Sequence, residues 1–316
     1  MNQNRQKTAF LFPGQGSQSV GMLADLARHS PWVKNTFDEA SQVLGYNLWE
    51  LTLEGPAERL NQTEVTQPAM LAAGVATWRV WRDLGGFEPD LMAGHSLGEY
   101  SALVAAGNLE FGTAVAVVAE RARLMQAATP AGTGAMAAII GLEDTPLREA
   151  CEAAAQGQVV SCANFNSPGQ TVIAGDKDAV ERACALALEA GARRAVNLPV
   201  SVPSHCALMR SASRELEITL VDTGIQPGST PVLHNADVQA HTGADSIREA
   251  LVKQLWQPVR WAETIREMES RGVTRFAECG PGKVLAGLNR RISRGAEIKA
   301  LTDFDALQTT LNSWSS

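Results

Sequence analysis

The chain has 316 residues, which suits one large domain or two. Hydrophobic residues make up 45% and charged residues 19%, a globular balance, and a net charge of −7 gives a nucleic-acid role no electrostatic support. The five cysteines (Cys151, Cys162, Cys184, Cys206, Cys279) form no C-x-x-C pair, so neither a disulfide framework nor a zinc ribbon is expected. The opening "MNQNRQKTAFLFPGQG" has an apolar run too short for a signal peptide. Stretches such as "TAVAVVAE" fall short of the roughly 20 apolar residues that a membrane span needs. A soluble, cytoplasmic protein without a membrane segment is expected.

Thr8 to Phe12 read as a first strand, ended by Pro13-Gly14. Helical periodicity follows in "SVGMLADLARHSP" and in "SPWVKNTFDEASQVLG", where Ser30 is the cap and Pro31 the first residue. "TQPAMLAAGVATWRVWRDLG" reads as one long buried helix beginning at Pro68 after a polar cap. Asp90 to Gly94 is a candidate central parallel strand, leading into helices over Ser96 to Ala106 and Phe111 to Ala128.

The rhythm then changes. "GAMAAIIG" reads as a strand, "TPLREACEAAAQG" as a helix capped by Thr145 with Pro146 first, and "QVVSCANF" and "QTVIAG" as strands joined at Asn166 to Gly169. "KDAVERACALALEAG" is a second helix and "ARRAVNLPV" a last strand. That βαββαβ order is ferredoxin-like and predicts a small domain over residues 131–200. It would interrupt a large α/β domain made of 1–130 and 201–316, in which "PVLHNA" and "TRFAECG" supply strands and "SVPSHCALMRSASRELEITL" and "GADSIREALVKQLWQPVRWAETIREMESRG" supply helices.

Gly94-His95-Ser96-Leu97-Gly98 matches G-x-S-x-G, and its predicted strand–turn–helix context is the one in which such glycines let a strained turn expose a nucleophilic serine. A serine hydroxyl needs a base. His95 is discounted because neighbours on a tight turn point apart. His29 ends an amphipathic helix, His234 ends a strand and His241 lies in a polar loop. His205 sits where the inserted unit returns the chain, well placed to reach a cleft, although a structural histidine at a helix start fits the same position.

Arg121 falls on the apolar stripe of Val115, Val118, Ala122 and Met125, whereas Arg123 is turned away. A buried guanidinium needs a partner: either Glu99 or Glu120, or a substrate carboxylate. "PGQGSQ" fails the dinucleotide pattern at Ser19, and "CGPGKVL" fails phosphate-loop spacing. The first of these still offers free N–H groups that, with the Leu97 N–H, would make an oxyanion hole. His and Cys are scattered without metal-ligand spacing, so no metal is expected.

Together these residues resemble the malonyl-CoA:acyl carrier protein transacylases of type II fatty-acid synthesis and are also similar to the acyltransferase domains of polyketide synthases. The stretches that carry the resemblance are "FPGQGSQ", "TQPAML", "GHSLGEYSALVAAG", "ERARLMQ", "GTGAMAAIIGL", "NFNSPGQTVIAG", "VSVPSHCALM", "QLWQPVRW" and "GPGKVLAGL". It implies an α/β-hydrolase-like large domain with a ferredoxin-like insert. It makes Ser96 the acyl acceptor, His205 its base, and Gln254 the residue whose backbone carbonyl orients that base. Gln15 and Leu97 become the oxyanion donors, Arg121 the clamp for the malonyl carboxylate, and Gln67 and Asn166 lining residues. The implied partners are malonyl-CoA and an acyl carrier protein bearing its own phosphopantetheine, with no cofactor on this chain and nothing that demands more than a monomer. Lys283, Arg290, Arg291 and Arg294 are candidates for docking the carrier, against the alternative of a plain solvated helix face. Other functions to separate are a discrete polyketide acyltransferase, a serine hydrolase of thioesters and a non-catalytic docking module.

Overall fold

A computed structural model describes residues 6–130, 132–200 and 202–315. The domain boundaries drawn at residues 131 and 201 fall outside these.

Strand β1 (Lys7–Phe12) is buried from Thr8 onward. After it come α1 (Ala24–His29), α2 (Pro31–Leu44), α3 (Leu48–Glu54), α4 (Ala57–Leu60) and α5 (Thr63–Asp83). Ser30 caps α2 by accepting from the Trp32 N–H, as expected. The first helical stretch is shorter than its periodicity suggests, starting only at Ala24. The fifth helix, conversely, starts earlier, at Thr63, so Pro68 lies inside it and not at its head. Pro68 removes one backbone bond there, but nearly the whole surface of the helix is buried, and that burial outweighs the loss.

Strand β2 (Leu91–Gly94) leads into α6 (Gly98–Ala105) and α7 (Phe111–Ala127). The next unit is β3 (Gly134–Ile140), α8 (Asp144–Ala155), β4 (Val160–Ser167), β5 (Gln170–Asp176), α9 (Lys177–Glu189) and β6 (Arg194–Asn197). Helix α8 begins at Asp144, so Thr145 lies in its first turn and is not the cap; Pro146 still costs nothing there, where N–H groups have no helical partner. A single 3-10 turn (Ala207–Met209) opens the return, followed by α10 (Arg210–Leu220), β7 (Val232–Leu233), α11 (Ala244–Gln254), α12 (Trp261–Ser270) and β8 (Val273–Glu278). The chain finishes with α13 (Val284–Ile292), β9 (Glu297–Ala300) and α14 (Phe304–Trp314).

Among the described residues the strands form two sheets. One is parallel, in the order β7-β2-β1-β8-β9, with Phe12 opposite Gly94. Its strands all point one way, so the loops after β1, β2 and β8 gather at one edge, where ligands bind in open α/β sheets. The other is antiparallel, in the order β4-β5-β3-β6, and packs α8 and α9 against one face around Ile139, Leu147, Ile173 and Val180. Two backbone bonds strap this sheet to the rest: Phe165 N–H to the Val259 carbonyl at 2.9 Å, and Val259 N–H to the Ala163 carbonyl at 2.8 Å. No helix among the described residues is long and apolar enough to cross a membrane.

Candidate active site

The turn after β2 brings the backbone of helix α6 almost against the strand. A Cβ on Gly94 would lie 1.8 Å from the Gly98 carbonyl carbon, and one on Gly98 would lie 2.0 Å from the Phe12 oxygen. Neither glycine has a left-handed backbone; that strain falls on Ser96 itself, at φ 52°. This corrects the expectation that the glycines supply the sharp turn: they allow close approach, and the serine takes the unfavourable conformation.

His205 is left-handed too, at φ 62°, and its N–H is held by the Leu255 carbonyl at 2.9 Å. Its Nε2 lies 2.7 Å from Ser96 Oγ, and its Nδ1 lies 2.7 Å from the Gln254 carbonyl. With the Nδ1 hydrogen given to that carbonyl, Nε2 is left to accept the serine proton. Burial, aided by the Arg121 charge, lowers the imidazole pKa to about 3, so the ring is neutral near pH 7.

Arg121 is 1% exposed. Its Nη1 donates to Gln67 Oε1 at 2.6 Å, and its Nη2 donates to Gln254 Oε1 at 3.0 Å and reaches Ser96 Oγ at 3.4 Å. Its Nε has no partner among the described residues, and no carboxylate there lies within ion-pair distance of the guanidinium. Neither ion-pair alternative is therefore met: Glu120 bonds Arg123, three residues along on the exposed face, and Glu99 faces His234, Asn235 and Gln254. The i,i+3 spacing that joins Glu120 to Arg123 carries Glu120 away from the buried stripe.

The Gln254 side chain also donates to the Ser96 carbonyl at 2.9 Å and to Glu99 at 3.0 Å. Asn235 accepts the Ser96 N–H at 2.7 Å and donates to the Gly94 carbonyl at 2.7 Å. Sequence reading offers Glu99 only as an ion-pair partner of Arg121 and passes over His234 as a strand end; Asn235 carries no sequence signal at all. His95 points to Asn166 Oδ1 at 2.8 Å. Among the remaining histidines, His29 stacks on Phe304 and His241 bonds Asp237.

A cavity of about 190 Å³ opens over the serine, lined by Gln15, His95, Ser96, Asn166, His205 and residues of β3, β5 and α13. Arg121 and Gln67 lie just beneath its floor, not on its wall. The backbone N–H groups of Gln15 and Leu97 have no partner among the described residues. A second, wider cavity of about 810 Å³ is lined by Arg193, Arg194, Arg290, Arg291 and Arg294. Three of the four basic docking candidates thus lie together; Lys283, just ahead of α13, does not line this cavity. No group of three or more metal-ligating side chains occurs among the described residues.

The acyl transferase domain family matches residues 9–301. The malonyl CoA-acyl carrier protein transacylase of Escherichia coli (strain K12) is 56% identical over 303 residues, covering 96% of this chain and 98% of its own. The crystal structure of an acyl carrier protein S-malonyltransferase from Vibrio cholerae superposes with a TM-score of 0.94 at 58% identity, covering 96% of this chain and 99% of that one. A structure of a type II PKS acyl-carrier protein in complex with its malonyl-transacylase superposes with a TM-score of 0.96 at 54% identity, covering 97% and 99%. A serine and histidine in contact on this fold, matched along nearly the whole length, leave one conclusion: the chain belongs to the acyl transferase domain family, among the malonyl CoA-acyl carrier protein transacylases.

Proposed function

We propose that this acyltransferase moves a malonyl group from malonyl-CoA to the phosphopantetheine thiol of an acyl carrier protein, by way of a malonyl ester on Ser96. The observation that carries the reading is Arg121: a buried guanidinium 3.4 Å from Ser96 Oγ, with its Nε–H unpartnered and no carboxylate within ion-pair distance among the described residues. Such a group favours an acyl chain that ends in a carboxylate.

In this reading His205 Nε2 takes the Ser96 proton as Oγ attacks the thioester carbon. The backbone N–H groups of Gln15 and Leu97 hold the oxyanion, each contributing roughly 3 kcal/mol. The C–S bond breaks, the departing CoA sulfur takes the proton from His205, and the ester remains. The carrier thiol then gives its proton to His205, attacks the ester carbonyl, and Ser96 leaves with that proton. Gln254 keeps the imidazole in the required tautomer throughout, Gln67 steadies Arg121 from the far side, and Asn166 holds His95 at the cavity wall.

These steps call on no cofactor of this chain. All the groups come from one chain, so a monomer suffices, and five free cysteines suit a reducing cytoplasm. The arginine-lined cavity is the surface assigned to the acidic carrier.

Incubation with malonyl-CoA, with and without holo carrier protein, tests the reading. One equivalent of CoA should be released alone, with a malonyl adduct on Ser96 by mass spectrometry, and sustained turnover should need the carrier. Steady release of free malonate at the same rate without carrier would make the protein a hydrolase.

A further inference from the structure

Beneath Ser96 lies a carboxylate that the steps above do not use. Glu99, on the first turn of α6, is fully buried, and no lysine or arginine nitrogen among the described residues lies within 4 Å of it. Its Oε1 accepts from His234 Nδ1 at 2.7 Å, and its Oε2 accepts from the Asn235 N–H at 2.9 Å and from Gln254 Nε2 at 3.0 Å. The same Gln254 amide turns its oxygen to Arg121 Nη2 at 3.0 Å. One amide group therefore stands between the two buried charges of the site, its donor end on the anion and its acceptor end on the cation.

That polarity has a consequence. An amide nitrogen can only donate and an amide oxygen can only accept. While Glu99 is an anion, the flipped amide would set its oxygen against a carboxylate and its N–H groups against a guanidinium, so only one orientation is stable. A neutral group at position 99 would remove half of that preference. Burial lowers the proton affinity of Arg121, and its neighbours Tyr100 and Glu99 oppose that shift.

We propose that Glu99 is the counter-charge of Arg121, coupled to it through the Gln254 side chain, and that this coupling aims the guanidinium at the acyl group on Ser96. Glu99 is thus a positioning residue, acting through Gln254. The proposal deepens the reading of Arg121 given above and rests on it for the identity of the acyl group.

A double-mutant cycle tests it with four proteins: wild type, Glu99→Gln, Arg121→Ala and the pair together. The first readout is the thermal unfolding midpoint, which needs no substrate. Glu99→Gln strands a buried cation and should lower the midpoint by roughly 4–8 °C. Removing both charges together should recover at least half of that loss. The second readout is the ratio of malonyl to acetyl transfer. Glu99→Gln should lower it about tenfold, the size of a contact coupling. In the Arg121→Ala background the same change should move it less than twofold.

Additive midpoints, or an equal fall in the ratio in both backgrounds, would overturn the proposal. If Glu99→Gln does not fold, the paired variant must fold; failure of both overturns it too. A wild-type protein that transfers no malonyl group would sink the functional reading instead, and the midpoints would still decide the role of Glu99.

Discussion

Arg121 and Arg291 carry the same guanidinium in opposite settings. Arg121 is buried under the nucleophile, fixed between Gln67 and Gln254. Arg291 is exposed on the wide cavity and bonds Gln170 of the second sheet at 2.6 Å, with four other arginines around the same space. The buried one is held in a single geometry, because every lost partner leaves an uncompensated charge. The exposed set contributes a summed charge, screened within about 8 Å at physiological salt. In the function proposed above, the first region would choose the acyl group by shape and hydrogen bonds, and the second would attract the carrier by its field.

The largest test of this contrast is Ser96→Ala. Transfer should fall by about 10⁴-fold or more, with no malonyl adduct in the mass spectrum, while melting stays near wild type. Residual adduct at another residue would move the chemistry away from the buried layer. Arg121→Ala comes next: the malonyl-to-acetyl transfer ratio should fall roughly 100-fold, measured with both thioesters and one carrier. An unchanged ratio would erase the difference between the two arginine environments. Reversing two exposed charges, Arg290→Glu with Arg291→Glu, should raise the KM for the carrier about tenfold at low salt and leave kcat alone. The effect should shrink on raising the salt; a salt-independent effect would mean that these side chains, too, make fixed contacts.

The smallest effects are in pH. His205 titrates near 3 when folded and near 6.5 when unfolded, so the unfolded chain binds the extra proton between those values and stability falls as pH drops through them. Glu278 behaves in reverse. Burial raises its pKa from 4.5 to about 7, so the folded chain keeps a proton that the unfolded chain releases. Its share of stability is present below 4.5 and is lost as pH rises through 7. Melting midpoints across pH 4 to 8 should fall at both ends, and Glu278→Gln should flatten the upper side. If it does not, the carboxyl is ionised on the helix α13 N–H groups of Leu285 and Ala286, which it bonds at 3.1 and 2.8 Å.

The contact between Ser96 and His205 could be sought from sequence because each stands at a break in pattern: a strand end, and the exit of the inserted unit. Arg121 stood out because helical spacing put a charge on an apolar stripe. Its partners did not, since Gln67 and Gln254 lie 54 and 133 positions away and no local spacing links them. Glu99 was considered as an ion-pair partner, and it lies one amide further off. The element kinds were readable where periodicity was strong, as in α2 and α7. Boundaries went astray at Pro68, where a local capping preference gave way to burial, and by one residue at Thr145, where the helix starts at exposed Asp144. Strand β9, half-buried along its length and built from "EIKA", had no period to read.

The strap at Val259 bears on how the two thiols take turns. Because the antiparallel sheet is tied to the larger body by paired amides on Phe165 and Val259, it cannot swing aside as a lid without breaking both. The cavity over Ser96 has that same sheet in its wall, through Met136, Asn164, Asn166 and Val172. In the proposed mechanism both thiols would use that one cavity, so the first would have to leave before the second could arrive.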